Sequence, residues 1–373
     1  MIIEVEEIVL KFTNYYKSLN YSILDDDSII TDDPTLLFIN STIARVKEEI
    51  QVGENLDSTA IVQQCFRNNM TDYMMFTMLG VASLATEANR VMKDWINFIK
   101  EVGNIPEDNL FAVIHSQDGM LIDLWKKTIS RPYYTLDQNT DKYTVRWKYG
   151  ECYDFYGVGM SLAYIHPNRP KCNDSCDFFC DCDRHLALGN FIIINNPIIN
   201  KQYIDIGFGV ERLLSYKNGI DYFNFESNKK NLLGVISLGL NKEDAKYILS
   251  FMKGIKKLVE EGIVPGNKKQ GYILKSLIKK IVINIAKYNK SSLFDDITKV
   301  LVMQDPSYKL YINDIQCYLQ KYYNNYKKNI DSAKKFLKVN SGMGSTELMY
   351  ILQDRFGVPY NIVMDADNTI TYK

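Results

Sequence analysis

Between Tyr203 and Leu213 the chain reads YIDIGFGVERL, and this stretch limits the fold more than any other. Its apolar residues alternate, which argues for a half-buried strand. Glycine inside a strand weakens it and marks a place where a ligand or another backbone comes close. Gly207 and Gly209 are therefore expected to have something lying against them. Residues Arg212 to Tyr216 can turn into a helix, holding the Arg212 guanidinium beside whatever the glycines admit. A planar fork of donors there suits a phosphate. The plainer alternative is a strand end with a surface ion pair.

At 373 residues the chain has room for two or three domains, each with its own core. Hydrophobic residues make up 46% and charged residues 24%, the balance of an ordinary soluble protein. No apolar run approaches the roughly 20 residues of a membrane span, and the opening MIIEVEEIVL lacks the basic start of a signal peptide. A cytoplasmic location with no membrane partner is the expectation. Seven cysteines, an odd number without an export signal, argue against a disulfide framework. The net charge of −1 is unevenly spread: residues 251–340 hold 18 Lys and no Arg against 7 acidic residues, a local charge of +11. Such a region is built either to meet a polyanion or as helices with lysines on a solvated face.

Periodicity predicts a helix near residues 4–18, then a strand, TLLFIN, after the turn TDDP. VQQCFR and MMFTMLG read as two strands joined by a short polar loop, followed by a helix from Val91 to Val102. NLFAVIH is a strand before the helix GMLIDLWKKTI, and DFYGVGMSLAYIHP, HLALGNFIIINN and YIDIGFGVERL are three consecutive strands. The result is an α+β domain with a largely antiparallel sheet. After about Asp221 the pattern turns helical, with Ile273, Leu274, Leu277, Ile278 and Ile281 on one face and Lys275 and Lys279 opposite.

The order DDPTLLFIN, QQCFR, FTMLG, AVIHSQDGMLIDLWKK, YDFYGVG, DRHLALGNFIII, IGFGVERL, EEGIVPGNKKQGYILKSLIKK and LMYILQDRFGVPYNIVMD resembles that of the alanyl-tRNA synthetases. These are class II aminoacyl-tRNA synthetases, and IGFGVERL fits the third signature of that class. The resemblance implies a catalytic domain over residues 1–225, an antiparallel sheet flanked by helices, and an all-helical tRNA-recognition domain over 226–373. It implies ATP with magnesium as cofactor, the adenine stacked near Gly207 and Gly209, with Glu211 and Arg212 at the nucleotide. DRHLALGN puts Asn190 where the family lines its alanine pocket, and Asp205 matches the carboxylate that grips the substrate ammonium. An aspartate in an apolar strand needs such a partner when buried; a salt bridge to a lysine is the alternative. Tyr156 stands where the family has a tryptophan wall.

The nucleotide machinery departs from the family pattern. The glutamate expected before Ile-Trp-Asn is Ala187, that of Phe-Phe-Glu-Met is Thr77, and a downstream lysine is Asn89. Losing such groups weakens adenylate formation, which rests on positioning and charge neutralisation. Strict correspondence turns the second-motif arginine into Thr71, whereas the wider class pattern points to Arg67 as α-phosphate ligand. Arg67 and Arg212 are then the catalytic candidates; alternatively Arg67 only ends a strand.

In the basic region Asn267 stands where the family reads the G·U pair of the alanine tRNA acceptor stem, and Asn361 replaces its partner aspartate. Lys268, Lys269, Lys275 and Lys279 would contact phosphates. No His-x3-His with a distant Cys-His occurs, so the resemblance is not expected to extend to the family's editing domain and C-terminal module, and if alanine is activated here, errors with serine or glycine would go uncorrected in this chain. CNDSCDFFCDCDRH fits neither part of the resemblance: Cys172, Cys176, Cys180 and Cys182 could hold zinc, with His185 able to replace one of them, or remain free thiols. Two functions follow. One is a ligase activating a small amino acid for tRNA or another acceptor such as a carrier protein. The other is a non-catalytic descendant that binds an alanine-type acceptor stem or a partner synthetase.

Overall fold

The computed structural model describes residues 4–68, 74–148, 155–182, 184–288, 290, 292–340 and 343–358, apart from the side chain of Tyr216. The chain divides into two compact units, Met1–Glu226 and Ser227–Lys373. In the first, the elements run α1 (Val5–Ser18), β1 (Ser22–Asp26), α2 (Lys47–Val52), β2 (Thr59–Phe66), β3 (Met75–Leu84), α3 (Ala88–Glu101), β4 (Leu110–His115), α4 (Gly119–Thr128), β5 (Tyr133–Leu136), β6 (Arg146–Lys148), β7 (Tyr156–Ile165), β8 (His185–Asn196), β9 (Lys201–Gly209) and α5 (Val210–Asn218). Their strands form one sheet in the order β1-β2-β3-β9-β8-β7-β4-β5, with β6 beside the start of β7. β1–β2 and β4–β5 are parallel and the other pairs antiparallel.

The period-2 alternation of β8 and β9 sorts their side chains onto two faces. Phe191 and Phe208 pack against Trp95 and Phe98 of α3, and Phe208 also meets Phe12 of α1. This aromatic layer is the core on the helical side. Asn190, Ile192, Asp205 and Gly207 line the opposite side, which faces the segment between β1 and β2.

That segment corrects the strand expected at TLLFIN. The Asp33 carboxylate accepts the N–H of Thr35 at 2.8 Å and takes an ion pair from Lys47, which turns the chain instead of extending it. Ile39 then bridges as loop backbone, donating to Ile29 and accepting from Phe66, both at 2.9 Å. The strand lies earlier, at SILDD. The other strand expectations correspond to β2, β3, β4, β7, β8 and β9, while the short β5 and β6 had no periodic signal.

The second unit is helical among the described residues: α6 (Glu226–Ser237), α7 (Lys242–Glu260), α8 (Lys269–Ala286), α9 (Leu293–Gln304), α10 (Ile312–Val339) and α11 (Ser345–Phe356). Ile273, Leu274, Leu277, Ile278 and Ile281 are all buried, as their spacing predicts. Asn241 caps α7 by accepting the N–H of Asp244 at 2.8 Å. The Asp244 carboxylate in turn accepts from Tyr288 at 2.6 Å and Asn284 at 2.8 Å, tying α7 to α8. No described helix is long and apolar enough to cross a membrane.

Candidate functional site

The glycines of β9 do different things. A Cβ on Gly207 would lie 2.6 Å from the Met78 methyl, whereas one on Gly209 would meet nothing nearer than Phe76 at 3.8 Å. The expected close approach therefore holds at Gly207, where the neighbour is the protein's own thioether. Gly209 has ordinary room, and its backbone is where the chain leaves the sheet for α5.

Around Gly207 lies a cleft of about 710 Å³. Asn190, Asp205, Thr42, Arg67 and Trp147 line it. Asp205 is only 7% exposed and sits in the sheet opposite Ala82 and Ile192, so the carboxylate enters from an apolar floor. Asn190 is oriented by Ser161, whose hydroxyl donates to its Oδ1 at 2.9 Å. The Thr42 hydroxyl is 1% exposed and has no hydrogen-bond partner, an orphan a bound polar ligand could satisfy. No periodicity marked Thr42, which reaches the cleft on a 3-10 turn.

Tyr156 is not in this lining. It opens β7 with 50% of its surface exposed, and the described aromatic residues lining the cleft are Phe38, Phe66 and, on β6, Trp147. The reason is packing: a Cβ on Gly159 would come within 2.9 Å of the Trp147 ring, so the glycine of β7 makes space for the neighbouring strand's indole. Pairing of Trp147 with Gly157 could not be read from local sequence.

Next to the cleft, and sharing Arg67, Met78, Asn190 and Gly207 with it, is a smaller pocket of about 100 Å³ that also takes in Gly209, Glu211 and Arg212. Arg67 is held by the Asn40 carbonyl at 2.9 Å and lies over the Phe76 ring, 4.8 Å from its centroid. Burial lowers its pKa from the usual guanidinium range, and the positive charge of Arg212 adds to that, though a guanidinium stays charged at neutral pH. Two arginines facing one pocket favour an anion there.

Glu211 is occupied differently. It is buried, and both carboxylate oxygens accept the Thr77 N–H at 2.9 Å. Thr77 itself accepts at its hydroxyl from Gln64 at 3.0 Å. Ala187 packs against the apolar cluster of Phe111, Tyr143 and Ala163, and the irregularity between Leu162 and Ala163 brings Leu188 to the pocket in its place. The pockets thus fit an amino acid and a phosphate through Asp205, Asn190, Thr42, Arg67 and Arg212. Among the described residues the acids lining them are Asp205 and Glu211, the latter already engaged with the Thr77 N–H. Thr71 lies outside the described residues.

In the second unit, Asn267, Lys268, Lys269 and Lys279 are exposed and Lys275 is half-buried. Lys275 donates to the Asn267 amide oxygen at 2.6 Å. A Cβ on Gly271 would meet the Val264 carbonyl at 2.8 Å, and Gly266 donates to the Gly271 carbonyl at 2.9 Å. The glycine lets the turn carrying Asn267 lie on the start of α8. Lys268, Tyr272, Lys275 and Lys279 follow helical spacing, and Tyr272 is 56% exposed, a stacking surface in a basic stripe that charge counting missed. Asn361 lies outside the described residues.

The loop between β7 and β8 brings Cys172, Cys176, Cys180 and Cys182 together, with all four Sγ atoms within 4.8 Å of one another. His185 is not among them: it is buried at the start of β8 with its ring edge-on to Phe111.

A largely antiparallel sheet with flanking helices and an arginine-bearing pocket at the glycine strand is the architecture of a class II aminoacyl-tRNA synthetase. Residues 7–368 match the family described as tRNA synthetases class II (A), and the chain belongs to that family. It is 22% identical over 401 residues to an alanine--tRNA ligase of Endomicrobium trichonymphae, covering 96% of this chain and 45% of that one. With the alanine--tRNA ligase of Clostridioides difficile (strain 630) it shares 23% over 415 residues, covering 97% and 46%. The chain therefore spans less than half the length of these relatives. Among solved structures it is similar to the apo S. aureus histidyl-tRNA synthetase, with a TM-score of 0.39 and 14% identity over 59% of this chain and 67% of that one.

Proposed function

We propose that the cleft joins a small amino acid to ATP as an aminoacyl-adenylate and passes the acyl group to an alanine-type tRNA acceptor stem or to another acceptor such as a carrier protein. The observation that supports this most is the polarity of the site: a buried Asp205 at the floor of the cleft, and Arg67 and Arg212 where it meets the smaller pocket. In this reading Asp205 binds the ammonium and Asn190 and Thr42 orient the amino acid. Its carboxylate oxygen attacks the α-phosphorus, the bond to the β-phosphate oxygen breaks, and pyrophosphate leaves with the electron pair. Arg67 and Arg212 stabilise the charge that develops on the phosphate. Magnesium would travel on the ATP phosphates, and any zinc would belong to the cysteine loop and not to the reaction.

The second reading, a descendant that binds tRNA without catalysis, draws on Glu211, which is spent on Thr77, and on Ala187, which faces an apolar cluster. Amino-acid-dependent exchange of pyrophosphate into ATP separates the two. Adenylation gives slow exchange with a small amino acid, abolished by Arg212→Ala. Background exchange with every small amino acid, together with alanine tRNA binding whose log–log salt slope falls by about 0.9 for each of Lys268, Lys269 and Lys275 replaced by alanine, overturns it in favour of the second reading.

A further inference from the structure

We infer that the loop between β7 and β8 is a tetrathiolate zinc site formed by Cys172, Cys176, Cys180 and Cys182. The inference stands apart from adenylation. Zinc binds thiolate sulfur at about 2.3 Å, so a tetrahedral site sets its sulfurs about 3.8 Å apart. Here Cys172 and Cys180 are 3.2 Å apart at sulfur, Cys176 and Cys182 are 3.6 Å apart, and no pair exceeds 4.8 Å.

The backbone arranges this convergence. Cys176 N–H closes a turn onto Asn173 at 3.2 Å and Cys180 N–H closes the next onto Asp177 at 3.1 Å, so two successive turns carry cysteines back toward the same point. A loop of this composition buries little: Cys176 is enclosed, but Cys172 is exposed and Cys180 and Cys182 are half-exposed. Apolar burial alone gives weak reason for four thiols to gather, whereas a metal supplies the folding energy directly. His185, the imidazole that the sequence also offered as a ligand, is buried in the core beside Phe111.

The site has a place in the architecture. Phe178, inside the loop, stacks on Tyr134 of β5 at 3.8 Å and accepts at its carbonyl from the Tyr143 hydroxyl at 2.8 Å. Lys142 donates to the Cys180 carbonyl. The segment so held leads into β6 and Trp147, part of the wall of the cleft. A zinc clip here anchors that wall from outside.

The test is elemental analysis of the whole chain purified under reducing conditions without chelator, followed by replacement with cobalt(II). About one zinc per chain, and a cobalt derivative with the visible d–d and thiolate charge-transfer bands of a tetrahedral sulfur site, are expected. Cys180→Ser should lower metal retention and shift the cobalt spectrum, while Cys317→Ser, an exposed cysteine on α10, should change neither. Background zinc with no cobalt bands in the folded wild-type protein overturns the inference, as does mass spectrometry showing the four cysteines paired as disulfides. Both readings use the wild-type chain, so a variant that fails to fold leaves the test intact.

Discussion

The carboxylate of Glu211 accepts the backbone N–H of Thr77 with both oxygens at 2.9 Å, at the point where β3, still paired with β2, loses β9 on its other side. The last β3–β9 pair is Met78 with Gly209, after which the chain turns into α5. Thr77 would otherwise present a buried N–H to nothing. The side chain of Glu211 extends the ladder by one bond and fixes the start of the helix that carries Arg212.

Replacing Glu211 should therefore cost stability whether or not the chain binds nucleotide. Glu211→Ala leaves a buried donor unsatisfied, and a loss of about 1 to 3 kcal/mol in urea unfolding is expected. Glu211→Gln keeps one acceptor oxygen and should lose less. An alanine variant as stable as the parent would show that the contact contributes nothing.

Asp205→Asn tests the floor of the cleft. With a non-hydrolysable alanyl-adenylate analogue, calorimetry should show affinity weakened by about 2 to 5 kcal/mol, as when one side of a buried charge pair is removed. Unchanged affinity would remove the ammonium assignment.

Two glycines facing Thr42 and Met78 should respond unequally. A Cβ on Gly80 would sit 2.3 Å from the Thr42 hydroxyl and 2.6 Å from the Ile206 carbonyl, which is backbone and cannot give way. Gly80→Ala is expected to cost about 1 to 3 kcal/mol. Gly207→Ala displaces only the flexible end of Met78 and should leave stability closer to wild type while narrowing the cleft. Thermal melts of the two variants decide the order.

Asp244 should make the chain acid-sensitive. Burial opposes its charge, but the hydrogen bonds from Tyr288 and Asn284 and the nearby Lys287 ammonium outweigh it and hold the carboxyl below the usual aspartate value of 3.8. A pKa lowered by folding contributes stability that is present above the unfolded value and is lost as pH falls through the folded one. Resistance to urea should thus weaken as pH drops below about 4, and Asp244→Asn should flatten that dependence while lowering stability at neutral pH. A variant with the parent's acid profile would assign the sensitivity elsewhere.

The sequence by itself determined what local spacing can encode. The alternation of YIDIGFGVERL became β9 running into α5, and the stripe from Ile273 to Ile281 became the buried face of α8. These follow from periods of 2 and 3.6, which a single segment carries whole. Tertiary structure decided the rest. Trp147 lines the cleft in place of Tyr156 because β6 pairs with β7 where Gly159 leaves room for an indole. TLLFIN stayed out of the sheet because Asp33 captured Thr35 and Lys47 first. Glu211 turned inward because Thr77, distant in sequence, arrived beside it just past the last β3–β9 pair. In each case the deciding contact joins side chain or backbone to a segment whose arrival depends on the sheet being assembled, and no local period records that.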